Sequence, residues 1–131
     1  MPRVQKFEDL EVWKKARSIA AEIYATTNVG PFSKDFGLKD QIRRSAVSIM
    51  SNVAEGFERD GDREFANFLS IAKGSAGETR SLLYVAKDQN YISESQFDSV
   101  FGQLTQCSRM IAGLSSYLRQ SELKGVKFKS R

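Results

Sequence analysis

The 131-residue sequence predicts an all-α protein, an up-down antiparallel four-helix bundle. Three observations carry the bundle. Apolar residues recur at three- and four-residue steps through four long segments. All but one of the connections between them are short. No stretch alternates apolar with polar residues as a half-buried strand would, and 2 prolines with 9 glycines are too few for a loop-rich β-sandwich. Hydrophobic residues at 40% and charged residues at 27% place the chain among folded proteins rather than disordered ones. Its length suits a single core.

The first helix is expected from about Asp9 to Thr26. Val12, Trp13, Ala16, Ile19, Ala20, Ile23 and Tyr24 form its stripe, and Asn28 with Gly30-Pro31 ends it. The longest connection follows, to about Phe36. The second helix runs from about Leu38 to Arg59, with Leu38, Ile42, Ala46, Ile49, Val53 and Phe57 facing inward. Asp60-Gly61-Asp62 breaks it, and Asp60 or Asp62 is expected to cap the next helix. So short a break makes helices two and three an antiparallel hairpin. The third helix spans about Arg63 to Gln89, with Phe65, Phe68, Leu69, Ala72, Ala76, Leu83 and Ala86 on one face. The fourth starts at Ser93, where Ser93-Glu94-Ser95-Gln96 has the capping-box spacing, and ends near Arg119. The bundle domain is thus residues 1–120, followed by a basic tail, residues 121–131.

Composition narrows the chemistry. There is no histidine, which removes Ser-His-Asp and Cys-His nucleophiles and His-ligated zinc. The one cysteine, Cys107, allows no intrachain disulfide and falls on an apolar stripe, as a core residue would. A carboxylate-only magnesium site at Glu55 and Glu78 ranks well below a structural role for both. No enzyme activity, cofactor or metal is expected. The start, Met1 to Asp9, is charged and does not resemble a signal peptide. No apolar run approaches the roughly 20 residues that span a bilayer. The expected location is the cytoplasm, without membrane contact.

Net charge is +4 with a pI near 9.3. Most of that excess sits in the tail, where Lys124, Lys127, Lys129 and Arg131 face only Glu122. Such a tail can serve as an electrostatic arm for phosphate, or be a solvated terminus. Arg43 and Arg44 are adjacent on helix two. Lys73, Arg80 and Lys87 lie at seven-residue steps on one side of helix three, a line that could track a phosphate backbone. Singly, each reads better as ordinary charged exterior.

Helix two carries a second pattern. Gln41, Ser45, Ser48, Asn52 and Glu55 follow one another at steps of four and three, so they share a narrow band beside the apolar stripe. A solvated face would more typically carry Lys and Glu. Helix three adds Gly74, Ser75, Gly77 and Glu78 in mid-helix, where each glycine costs about 1 kcal/mol relative to alanine. A polar seam within the bundle or between subunits accounts for both, with close helix approach at Gly74 and Gly77. A merely solvated face is the alternative.

Several of these residues resemble a known family. Phe7-x-Asp9-Leu10-x-Val12-Trp13-Lys14 opens the chain. Helix two reads Leu38-x-x-Gln41-Ile42-Arg43-Arg44-Ser45-Ala46-Val47-Ser48-Ile49-x-Ser51-Asn52-Val53-Ala54-Glu55-Gly56. Helix three reads Glu64-Phe65-x-x-Phe68-Leu69-x-Ile71-Ala72-x-Gly74-Ser75-x-x-Glu78. Together they resemble the four-helix family known as ribosomal protein S23, whose members include proteins encoded in intervening sequences of bacterial 23S rRNA genes. The likeness reaches to about Leu118 and leaves out the tail. It implies a homopentameric ring and no catalytic residues. It also implies similarity to the accessory protein of diversity-generating retroelements, a basic pentamer that binds nucleic acid and a reverse transcriptase.

The functional expectation is a non-catalytic homo-oligomer, pentameric by resemblance, that binds RNA or DNA, with RNA favoured. Arg43, Arg44, Lys73, Arg80, Lys87, Lys124, Lys127 and Lys129 are the contact candidates. Gln41, Ser45, Ser48, Asn52, Glu55, Ser75 and Glu78 are the seam candidates. The alternative is a protein-interaction scaffold, for instance for a polymerase or reverse transcriptase, in which the positive charge is incidental.

Overall fold

The computed structural model describes the backbone from residue 4 to residue 129, with side chains from 4 to 121. It contains four α-helices: α1 (Glu11–Thr27), α2 (Phe36–Glu58), α3 (Asp62–Asp88) and α4 (Glu94–Lys129). A 3-10 turn, Phe7–Asp9, leads into α1, and a second, Gly30–Lys34, fills the α1–α2 connection. There is no strand among the described residues. The main packed pairs are α1–α2, α2–α3, α3–α4 and α4–α1, so the helices close a square in up-down order. The expected bundle is the observed one.

The core follows the apolar stripes. Ile19 and Ile23 of α1, Ile42, Ile49 and Val53 of α2, Leu69 and Leu83 of α3, and Leu104 and Ile111 of α4 are all essentially sealed from solvent. Trp13 and Tyr24, assigned by spacing to the first stripe, sit at its edges instead. Trp13 is half-buried against Phe7 at 5.1 Å, and Tyr24 is 45% exposed. Phe32 of the α1–α2 connection plugs one end of the core and stacks on Tyr91, 5.2 Å away. The Tyr91 hydroxyl donates to Asp35 Oδ2 at 2.9 Å, tying that connection to the α3–α4 turn.

Helix ends show what local chemistry decides. Asp35 caps α2 by accepting from the Leu38 N–H at 3.2 Å. The capping box at α4 forms in both directions: Gln96 N–H donates to Ser93 Oγ (3.1 Å), and Ser93 N–H donates to Gln96 Oε1 (2.9 Å). α3 ends in a Schellman arrangement, with Tyr91 N–H donating to Ala86 O, Asn90 N–H donating to Lys87 O, and Asn90 at φ 60°.

Three expectations need correction. Neither Asp60 nor Asp62 caps α3. Gly61 occupies the cap position at φ 90°, which favours glycine, and Asp62 lies in the first helical turn. α4 does not end near Arg119; it runs on to Lys129, and no proline follows Arg119 to stop it. Within the chain, no helix approaches closely at Gly74 or Gly77. A Cβ on Gly74 would meet nothing within 4 Å, and one on Gly77 would only reach the Arg80 guanidinium at 3.6 Å. The close approach is at Gly56, where a Cβ would lie 2.7 Å from Phe68 Cβ and 3.0 Å from Phe65 Cδ1.

Candidate nucleic-acid interface

The band on α2 and the hydroxyls of α3 meet in two rungs. Ser45 Oγ lies 2.8 Å from Thr79 Oγ1, with both residues buried. Roughly one turn along, Ser48 Oγ lies 2.8 Å from Ser75 Oγ, half-buried. Asn52 donates from Nδ2 to both Ser48 O (2.8 Å) and Ser48 Oγ (2.9 Å). The Ser48 hydroxyl thereby keeps its proton for Ser75 or receives one from it. At the inner rung two protons serve three contacts: Thr79 reaches Ser75 O at 2.8 Å, Ser45 reaches Ile42 O at 3.0 Å, and the hydroxyls reach each other. The proton pattern can therefore switch without orphaning either oxygen. The two rungs favour this register of the α2–α3 hairpin, since a slip would lose both cross-helix contacts and leave the inner hydroxyls only the carbonyls of their own helices.

The remaining seam candidates lie outside this ladder. Gln41 is exposed, because one turn further along the same register α3 presents Leu82 and Leu83. Glu55 and Glu78 are exposed at the outer edge of the band. Glu55 accepts from Arg59 at 2.9 Å, which holds the Arg59 guanidinium above its ordinary pKa. In that register Glu55 stands opposite the turn of Leu69 and Glu78 opposite that of Ala46, so the two carboxylates do not converge. Among the described residues no three Asp, Glu, His or Cys side chains gather where a metal ion would need them. Thr79, absent from the predicted seam, supplies its inner rung. Its place on the apolar stripe at three-residue spacing from Ala76 was the available signal.

The candidate cations divide into two kinds. Arg43 is a structural clamp: its Nε donates to buried Thr27 Oγ1 (2.8 Å), an Nη donates to Tyr24 O (3.3 Å), and its guanidinium lies 4.3 Å from the centre of the Tyr24 ring. It ties the exposed carbonyl end of α1 to α2. Arg43→Ala should therefore lower stability by about 1–2 kcal/mol and leave the salt dependence of any nucleic-acid binding unchanged. Thermal melting beside binding in a salt series checks this. Arg80 and Lys87 also lean on neighbours. The Arg80 guanidinium lies 5.9 Å from the Phe101 ring and its Nε is shielded from solvent. Lys87 Nζ is 4.5 Å from the Phe97 ring and 4.0 Å from Glu94 Oε1. Both side chains are thus drawn toward α4, which reduces their reach toward phosphate.

Arg44 and Lys73 are different. Both are exposed and neither has an ion pair among the described residues. Lys73 lines a cleft of about 380 Å³ between α3 and α4, which it shares with Arg119, Ser70, Ser115 and Ser116. Arg119 was not a sequence candidate, because its companion Lys73 lies far off in the chain on another helix. The side chains of Lys124, Lys127 and Lys129 lie outside the described residues. No helix among the described residues is long and apolar enough to cross a membrane.

Comparison with known proteins agrees with this architecture. A solved structure from Bacteroides thetaiotaomicron, described as a protein of unknown function from the S23 ribosomal protein family, superposes with a TM-score of 0.74 at 26% sequence identity. The match covers 80% of this chain and 95% of the other. No curated protein matches. The family model of the 23S rRNA-intervening sequence protein matches residues 8–113, from the 3-10 turn before α1 to well into α4, and the chain belongs to that family.

Proposed function

We propose that this protein is a non-catalytic homo-oligomer, a pentamer, that binds nucleic acid, and RNA in the first place. The observation that carries the reading is that two of the candidate cations, Arg44 on α2 and Lys73 on α3, are exposed and have no ion pair among the described residues, on a chain with a net charge of +4. Counterions released from phosphate at such positions supply affinity without sequence reading. Membership of a family named for 23S rRNA intervening sequences supports RNA as the partner. Self-association is supported by α3, where Ile71 (53% exposed) and Val85 (43%) lie two heptads apart on the side away from α4, with open Gly74 between them. Several weak subunits on one strand would bind tightly together.

Native mass spectrometry of the protein with a structured RNA tests the reading. The expected spectrum shows five subunits, alone and with one RNA. A monomer without RNA at low salt would refute it. A second reading, a protein-interaction scaffold, is favoured by a hollow of about 480 Å³ beside the α2–α3 turn. Leu10, Phe57, Phe65, Leu114 and Tyr117 line it, and Tyr117 is 55% exposed. Under that reading a partner bound there persists at high salt, where phosphate contacts fail.

A further inference from the structure

We infer that the α3–α4 cleft holding Lys73 and Arg119 is a phosphate site, and that its ligand is the phosphodiester backbone of a nucleic-acid strand. The inference rests on the nucleic-acid-binding reading and gives it a location. Two cations from different helices line it together with the hydroxyl-bearing Ser70, Ser115 and Ser116. Among the described residues no carboxylate lines the cleft, and neither cation is held in an ion pair. Its floor is rigid, since Leu69 and Ile111 below are fully buried core residues. The hollow between α1 and α2 offers a contrast. It too holds two arginines, but Asp40 lines it and Arg43 is spent on Thr27 and Tyr24.

The donor set suits a tetrahedral oxyanion. A guanidinium provides a planar pair of donors, an ammonium a point charge, and the hydroxyls can turn their protons to further oxygens. A lone carboxylate would leave most of these donors unused. Among the described residues no aromatic ring lines the cleft to grip a base. That chemistry positions a backbone and is blind to sequence. It also argues against a free nucleotide, whose base would lie unsupported.

The test compares Lys73→Ala/Arg119→Ala with Lys14→Ala/Arg17→Ala. The second pair removes the same charge from α1, which does not pack on α3. All four side chains are exposed, so thermal melting should report intact folds. Binding to a short unstructured RNA and to duplex DNA is measured across a salt series. For each subunit that engages the nucleic acid, the cleft variant should lose roughly 1.4 in log–log salt slope on the single strand and about 1.8 on the duplex, the equivalent of two phosphate contacts. The α1 variant should keep the parent slope, and Lys73→Arg/Arg119→Lys should restore most of it. Equal losses in both variants would mean diffuse charge and overturn the site. An unchanged slope in the cleft variant would overturn the site while leaving nucleic-acid binding standing. No binding by the parent protein would overturn both. Binding of inorganic phosphate or a nucleoside triphosphate that needs Lys73 and Arg119, with no binding of either polymer, would overturn the polymer assignment.

Discussion

Gly56→Ala is expected to destabilise the protein, although alanine is the better helix former by about 1 kcal/mol. The added methyl would lie 2.7 Å from Phe68 Cβ, 3.0 Å from Phe65 Cδ1 and 3.3 Å from Phe65 O. Neither the Phe68 Cβ nor the Phe65 carbonyl is the loose end of a side chain, so relief requires α2 and α3 to part. The Ser45–Thr79 and Ser48–Ser75 rungs lie along the same seam and resist that movement. Overpacking of this kind costs about 1–3 kcal/mol net, which for a chain of this size lowers the melting temperature by several degrees. Gly102→Ala, within α4, is the internal control. Its methyl enters open space, so helix propensity alone should act and raise stability by about 0.5–1 kcal/mol. Thermal denaturation of the two variants should therefore move in opposite directions. A shift of both in one direction would contradict the packing described here.

Alkaline pH should expose the state of Cys107. Burial within the α4 stripe pushes its thiol up to about 11 from an ordinary 9.0, with Lys15 acting weakly in the opposite sense. The unfolded chain releases this proton near pH 9, while the folded chain holds it until about pH 11. Between those values the folded state binds more protons than the unfolded one, so stability falls as pH rises. The contribution is fully present below pH 9, and its loss reaches about 2–3 kcal/mol by pH 11. Tyr91 acts in the same sense, because its hydroxyl donates to Asp35 and its pKa is raised as well. Cys107→Ala separates the two. Its stability between pH 9 and pH 11 should decline less steeply than that of the parent protein in chemical denaturation. Parallel curves would mean that the thiol is not buried as described. The same burial predicts that thiol reagents reach Cys107 only on unfolding.

The four helices were legible because each writes one wide apolar stripe, and such stripes pack in few ways. Helix ends were legible where side chains make the cap. Ser93 and Gln96 announced theirs, whereas Gly61 caps by backbone freedom and sent the expectation to the neighbouring aspartates. The polar band on α2 was visible in its spacing. Which of its members face α3 depends on the hairpin register, which is set by contacts between the two helices, at the hydroxyl rungs and at Gly56, rather than by any local signal. Gly56 itself lay inside a recognisable motif, yet its contact with Phe68 spans two helices. Candidate phosphate contacts fared similarly. Lys73 stood out in the seven-residue line with Arg80 and Lys87, but charge spacing does not reveal that Phe97 and Phe101 of α4 occupy the other two. Arg119 joins Lys73 only through the α3–α4 packing, which no pattern within one helix encodes.

The central claim is that the positive charge of this bundle serves nucleic acid. Titration of the full chain against structured RNA and duplex DNA over a salt series, beside a form ending at Gln120, tests it most directly. The account predicts RNA binding that weakens steeply with salt, with part of the slope lost when residues 121–131 are removed and the rest retained by the bundle. Absence of binding to either nucleic acid at low salt would contradict it and leave a protein partner as the ligand of this fold.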